Sequence, residues 1–146
     1  MQEEEFILAV ENYANLRRCP IATGFKVLGK SWSVDILREL VLGRTRFNDI
    51  MRHSRGSNAR MISLRMRELI EHGLVERLVA REDPVLIQYN LTARGRDLIP
   101  VMFAMASFSL KHFPEEVLAD GLGRTPDQVM RELRRPQSLR NPTSGP

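Results

Sequence analysis

The stretch Asn58-Ala-Arg-Met-Ile-Ser-Leu-Arg-Met-Arg-Glu-Leu-Ile-Glu-His-Gly73 constrains the fold more than any other. Asn58 suits a helix N-cap, because its side-chain oxygen can accept from the free amides of the first turn. Gly73 suits the left-handed residue that follows a last turn. Between them, at about 100° per residue, Ile62, Met66, Leu69 and Ile70 share one face. Arg60, Ser63, Leu64 and Arg67 share another. The spacing predicts a helix with an apolar back and an arginine-bearing front.

The flanking residues extend this helix into a motif. Thr45 to His53 reads as a short helix with Phe47, Ile50 and Met51 pointing inward. Ser54-Arg-Gly-Ser57 is a tight turn that delivers Asn58 to its cap, and a short glycine-bearing turn between two helices marks a helix-turn-helix. Downstream, Leu74 to Arg81 reads as a strand, Glu82 to Val85 as a turn, and Leu86 to Leu91 as the returning strand. That hairpin is the expected wing. Between Asp49 and Glu68 lie Arg52, Arg55, Arg60, Arg65 and Arg67 without an intervening acid. A basic run by itself is usually a solvated face. In front of a helix-turn-helix it points to duplex DNA.

The whole chain sets wider bounds. Its 146 residues suffice for a core, and 42% hydrophobic with 27% charged residues fits a folded protein. The net charge of +4 favours an anionic partner. Cys19 is the only cysteine, which excludes an intrachain disulfide and a cysteine metal cluster. His53, His72 and His112 lack zinc-ligand spacing. No metal or cofactor is expected. The glutamate-rich start carries no secretory pattern, so the expected location is cytoplasmic.

In chain order, residues 3–17 read as a first helix, closed by Cys19-Pro20. Residues 21–29 read as a second. A third, starting at Ser31 or Ser33 and ending at Gly43, has an apolar surface suited to a core. Thr92 should cap a long helix reaching Phe113, kinked or restarted at Pro100. Its uncharged run from Leu98 to Leu110 is too short to span a bilayer of about 30 Å. A helix apolar on nearly every side needs two partners, so a second copy of the chain is the expected one. Past Pro114 a short helix (126–133) precedes an expectedly disordered 136–146. The expected division is a winged domain, 1–113, with terminal dimerisation helices 1–17 and 93–113, and an extension, 114–146. The fold class is mainly α with a small β-hairpin (α+β).

The chain resembles the HxlR-type winged helix-turn-helix regulators from about Arg18 to Phe108. The resemblance runs through Cys19-Pro20, Leu28-Gly29, Trp32, Ile36-Leu37-Arg38-Glu39-Leu40 and Gly43. It continues through Arg46-Phe47-Asn48-Asp49-Ile50, Gly73-Leu74-Val75-Glu76-Arg77, Tyr89-Asn90-Leu91-Thr92 and Gly95. It implies a homodimeric DNA-binding transcription regulator, with the groove helix on Ala59 to Glu71 and Arg60 at a basic position of the family. Some members use a sensing cysteine, which falls on Cys19. Three departures stand out: Ser31 before Trp32 where a basic residue is common, Leu64 where a polar one is usual, and Leu86 in place of a wing arginine.

The expected reading is a sequence-specific regulator of double-stranded DNA, with repression its expected mode, acting as a dimer on an inverted repeat. Arg60 would read a guanine, with Ser63 and Leu64 on neighbouring bases. Arg46, Asn58, Ala59, Arg65 and Arg67 complete the interface, Arg65 and Arg67 on phosphates, and Arg81 and Gln88 would serve the wing. Cys19 is the candidate sensor of an oxidant or small molecule, and the sequence names no effector. The rival is a winged-helix module that binds protein. An enzyme would need a base set against a nucleophile, or paired carboxylates, and no such motif is written here.

Overall fold

A computed structural model describes residues 2–134; the expectation for 136–146 lies outside them. The described helices and strands run α1 (Glu3–Glu11), α2 (Pro20–Leu28), α3 (Ser33–Val41), α4 (Phe47–His53) and α5 (Ala59–Glu71). There follow β1 (Val75–Glu82), β2 (Val85–Leu91), α6 (Ala93–Arg96), α7 (Ile99–His112), α8 (Pro114–Val117) and α9 (Pro126–Arg134). The described residues gather into two units, divided between Arg96 and Asp97.

In the first unit, α5 forms where its caps predict. The Asn58 side chain accepts from the Met61 amide at 2.9 Å, and Gly73 takes the left-handed conformation, φ 70°. Ile62, Met66 and Leu69 are buried, with Ile70 partly so. They pack with Ile36, Leu37 and Leu40 of α3, Ile50 of α4, and Leu74, Val75 and Leu91 at the hairpin root. Apolar burial of this kind is the main favourable term in folding. The turn before α5 is self-satisfied: Ser54 Oγ donates to the Ile50 carbonyl at 2.9 Å, and Ser57 Oγ to the Ser54 carbonyl at 2.6 Å.

The hairpin is antiparallel, pairing Val75 with Leu91 and Arg77 with Tyr89, with a bulge between Val79 and Arg81. Against the sequence reading β1 is displaced by one residue at unchanged length and β2 begins one residue earlier, leaving only Asp83 and Pro84 in the turn, across a cis peptide. The Tyr89 amide donates to the Thr45 carbonyl at 2.8 Å, tying β2 to the segment before α4.

Several boundaries differ from the sequence reading. The first helix ends at Glu11 rather than 17, eight residues ahead of Cys19. Helix α3 enters the core with one face only, burying Ile36, Leu37 and Leu40 while Val34 and Val41 stay exposed. Trp32 precedes it with φ 72°, a conformation uncommon for a bulky residue. The long helix expected after Thr92 is two helices. Thr92 does cap the first: its Oγ1 accepts from the Gly95 amide at 3.1 Å and donates to the Gly73 carbonyl at 2.6 Å. That helix stops at Arg96, and α7 restarts with Pro100 in its first turn, where a missing N–H is harmless. Gly95 answers a close approach, because a Cβ there would lie 2.0 Å from the Leu74 carbonyl oxygen.

In the second unit, α7 has no buried residue, and Phe103, Met105 and Phe108 are exposed. Arg124 organises the segment after it. Its guanidinium binds Asp120, Glu132 and the Leu122 carbonyl, and its amide donates to Leu110 at 3.1 Å. The hydrogen bonds from Arg124 and the Leu122 amide hold the Asp120 carboxyl far below the usual range.

Inside the first unit one carboxylate stands apart. The Glu39 side chain is 2% exposed and receives Arg38 Nε at 3.0 Å and the Arg44 guanidinium. Burial by itself would raise its pKa, but the hydrogen bonds from Arg38 and Arg44 outweigh that and hold it low. A lowered folded-state pKa gives stability that is complete above the unfolded value of 4.5 and is lost as pH falls through the folded one. Glu39→Ala should cost about 3 kcal/mol in urea unfolding at pH 7, the low end for a broken buried pair, since both arginines can turn to water. Wild-type stability should drop below pH 4.5 by a component that Glu39→Gln lacks.

Candidate nucleic-acid interface

Because Ile62, Met66 and Leu69 point inward, the rotation of α5 about its axis is fixed, and so is what faces out. Ala59, Arg60, Ser63, Leu64 and Arg67 are exposed, as is the capping Asn58. Leu64 is 40% exposed, an apolar side chain within an otherwise polar front. Arg46, the residue before α4, is exposed as well. Six of the expected residues, Asn58, Ala59, Arg60, Ser63, Leu64 and Arg67, are thus exposed on α5 and its cap, and Arg46 is exposed beside α4 and β2.

The arginines divide by partner. Arg44, Arg52 and Arg65 are paired with Glu39, Asp49 and Glu68. Arg46, Arg55, Arg60 and Arg67 have no ion-pair partner among the described residues. An unpaired guanidinium in water is available to a phosphate or a base edge at little desolvation penalty.

Arg65 departs from the phosphate role that spacing suggested. Its side chain is 15% exposed, its Nε donates to the Ser31 carbonyl at 3.0 Å, and a terminal nitrogen sits 2.7 Å from Glu68. Lys30 reaches the other Glu68 oxygen at 3.1 Å. The hydrogen bonds from Arg65 and then Lys30 lower the Glu68 pKa. These links fasten α5 to the loop between α2 and α3. Ser31 and Glu68 were not legible as site-supporting residues, because the contact joins positions 34 apart and uses a carbonyl rather than a side chain. At the other end of α5, Arg94 donates to the His72 carbonyl at 3.1 Å, closing the last turn.

The wing residues lie apart from this front. Arg81 is exposed, but its Nε donates to the Pro84 carbonyl at 3.2 Å and so braces the turn. Gln88 pairs with Leu78 mid-hairpin and is half-buried. Cys19 is elsewhere again. It is exposed at the start of α2 and borders a cavity of about 470 Å3 with Ile7, Val10, Leu16, Ile21 and the two arginines before it. No group of acids, histidines and the cysteine among the described residues could hold a metal. No described helix is long and apolar enough to cross a membrane.

The fold has relatives among known proteins. The HxlR-like helix-turn-helix family matches residues 27–117, a span that begins after Cys19. An HTH-type transcriptional regulator of Synechocystis is 39% identical over 87 residues, which is 60% of this chain and 64% of that protein, just under two thirds of its length. The reduced form of the transcriptional regulator YodB from B. subtilis superposes with a TM-score of 0.58 at 33% identity, covering 63% of this chain and 91% of that one. YodB has also been solved diamide-treated and quinone-bound. The redox regulator HypR in its oxidised form gives 0.58 at 32% identity, covering 62% and 94%. With more than half its length matched by one family, and the same architecture in transcriptional regulators of known structure, the protein belongs to the HxlR-like helix-turn-helix family.

Proposed function

We infer that this chain is a sequence-specific regulator of transcription that binds double-stranded DNA as a homodimer and represses by occluding what it covers. The observation that carries the reading is the front of α5: a capped helix, buried on its back, presenting unpaired Arg60 and Arg67 with Ser63 and Leu64 between them. In a symmetric dimer two such helices enter successive major grooves about 34 Å apart, so half-sites lie roughly ten base pairs apart. Arg60 can fork onto guanine O6 and N7, and Leu64 can lie against a thymine methyl. Arg46, Asn58 and Arg67 flank these on phosphates. Arg65 acts one step back, by seating the helix.

Selection from a random duplex pool should return an inverted repeat. Steep salt dependence on that duplex would separate a DNA-binding protein from a protein-binding module. Arg60→Ala should cost about 1–3 kcal/mol on the selected site and relax one position per half-site, while a scrambled duplex is nearly unaffected. Equal loss on both duplexes would overturn its role as the base reader.

Dimerisation is supported by the exposed apolar residues of α7, Phe103, Met105 and Phe108, and of α1, Phe6 and Ile7. Each of the two helices by itself exposes several large apolar side chains, and such surface marks an interaction face. Phe108→Glu should yield monomers by light scattering and weaken DNA binding with it; a stable dimer would remove α7 from the interface.

Response to an oxidant or electrophile at Cys19 is supported by its exposure beside a cavity. YodB and HypR, solved in reduced and in diamide-treated, quinone-bound or oxidised forms, lend it further support. With one cysteine in the sequence, the thiol acts alone or with that of a second copy. Treatment with diamide or a quinone should lower DNA affinity in the wild type and leave Cys19→Ser unchanged; identical behaviour of the two proteins would end the sensor reading.

A further inference from the structure

Where α5 meets the hairpin, a cleft of about 480 Å3 opens over an apolar floor of Phe47, Met66 and Ile70. Ser63 and Arg67 border it on the helix side, Arg77 and Tyr89 on the hairpin side. Both borders are built by regular structure. Ser63 and Arg67 are one turn apart, so they project together. Arg77 and Tyr89 are direct cross-strand partners, so their side chains leave the hairpin on one face. Tyr89 is also anchored through its amide to the Thr45 carbonyl.

The electrostatics of the cleft are one-sided. No acid lines it, and neither Arg67 nor Arg77 has an ion-pair partner among the described residues. Two guanidiniums facing one open space repel each other until an anion comes between them. The hydroxyls of Ser63 and Tyr89 supply neutral donors to the same space. The far end of the hairpin has the opposite character: Leu78, Val79 and Val85 are exposed there, with Val85 at 67%. Charge is present there too, but the acids Glu82 and Asp83 accompany Arg81, whose Nε is held by the Pro84 carbonyl, so the basic side chains at the root are the ones without an acid beside them.

We propose that this cleft seats one backbone phosphodiester of the bound duplex, held between Arg67 and Arg77 with Ser63 and Tyr89 donating. The proposal rests on the reading of α5 as the groove helix. A helix lying in the major groove has a sugar–phosphate ridge along each flank, and the cleft is the flank of α5 on the hairpin side. Arg77 and Tyr89 thereby become register-setting residues that carry no base information.

The test compares the wild-type chain with Arg77→Gln, Arg77→Lys and Tyr89→Phe, on the selected duplex and a scrambled one, across a salt series. Arg77→Gln should weaken both duplexes by the same factor and reduce the slope of log K against log salt by about one. Arg77→Lys, which keeps the charge, should keep the slope. Tyr89→Phe should weaken binding without changing it. Thermal unfolding of each variant checks that the fold is intact, and Arg67→Gln should reproduce the loss of slope independently. Unchanged slopes in both glutamine variants, with wild-type binding intact, overturn the seat alone. A wild type without salt-dependent duplex binding overturns the groove-helix reading, and the seat with it. Inorganic phosphate provides the remaining arm: saturable calorimetric binding at low millimolar, abolished by Arg77→Gln, would make the cleft a free-anion site and overturn the backbone assignment.

Discussion

Everything the first unit presents to its surroundings follows from burying one side of α5. Ile62, Met66 and Leu69 sit against α3, α4 and the hairpin root with almost no exposure. That contact does two things together. It supplies apolar burial for a small core, and it removes the rotational freedom of the helix. A turn of α5 by one residue, about 100°, would expose this stripe and bury arginine in its place. The chemical front of the protein is therefore set by its least chemical residues.

The charges are sorted by the same packing. Two acids of the first unit each hold a pair of basic side chains beside the packed elements. Glu39 takes Arg38 and Arg44, and Glu68 takes Arg65 and Lys30. What remains unpaired lies where water, and on the reading above DNA, can reach it. Net charge alone understates this, because the excess is concentrated rather than spread.

The sequence made the motif legible where the determinants are local. Asn58, Gly73 and the period of Ile62, Met66 and Leu69 each act within a turn or two of themselves, and α5 has the boundaries they imply. The same holds for the cap at Thr92. Legibility failed where the partner is distant or is backbone. Arg65 looks like any surface arginine until the Ser31 carbonyl arrives from 34 residues away. The pairing of Arg77 with Tyr89 and their convergence on Arg67 depend on a strand register that composition does not encode. Pro100 was visible as a break, yet the helix had already ended at Arg96, where the main chain turns against Leu74.

That last contact has its own consequence. At Gly95 the main chain of α6 rests directly on the carbonyl of Leu74, with no side chain between them. The Thr92 amide, donating to the same carbonyl at 3.1 Å, makes the joint one of backbone on backbone. A joint of that kind takes its angle from peptide geometry rather than from side-chain size. Side chains around it can change in size without entering the joint. Position 95 is where that freedom stops.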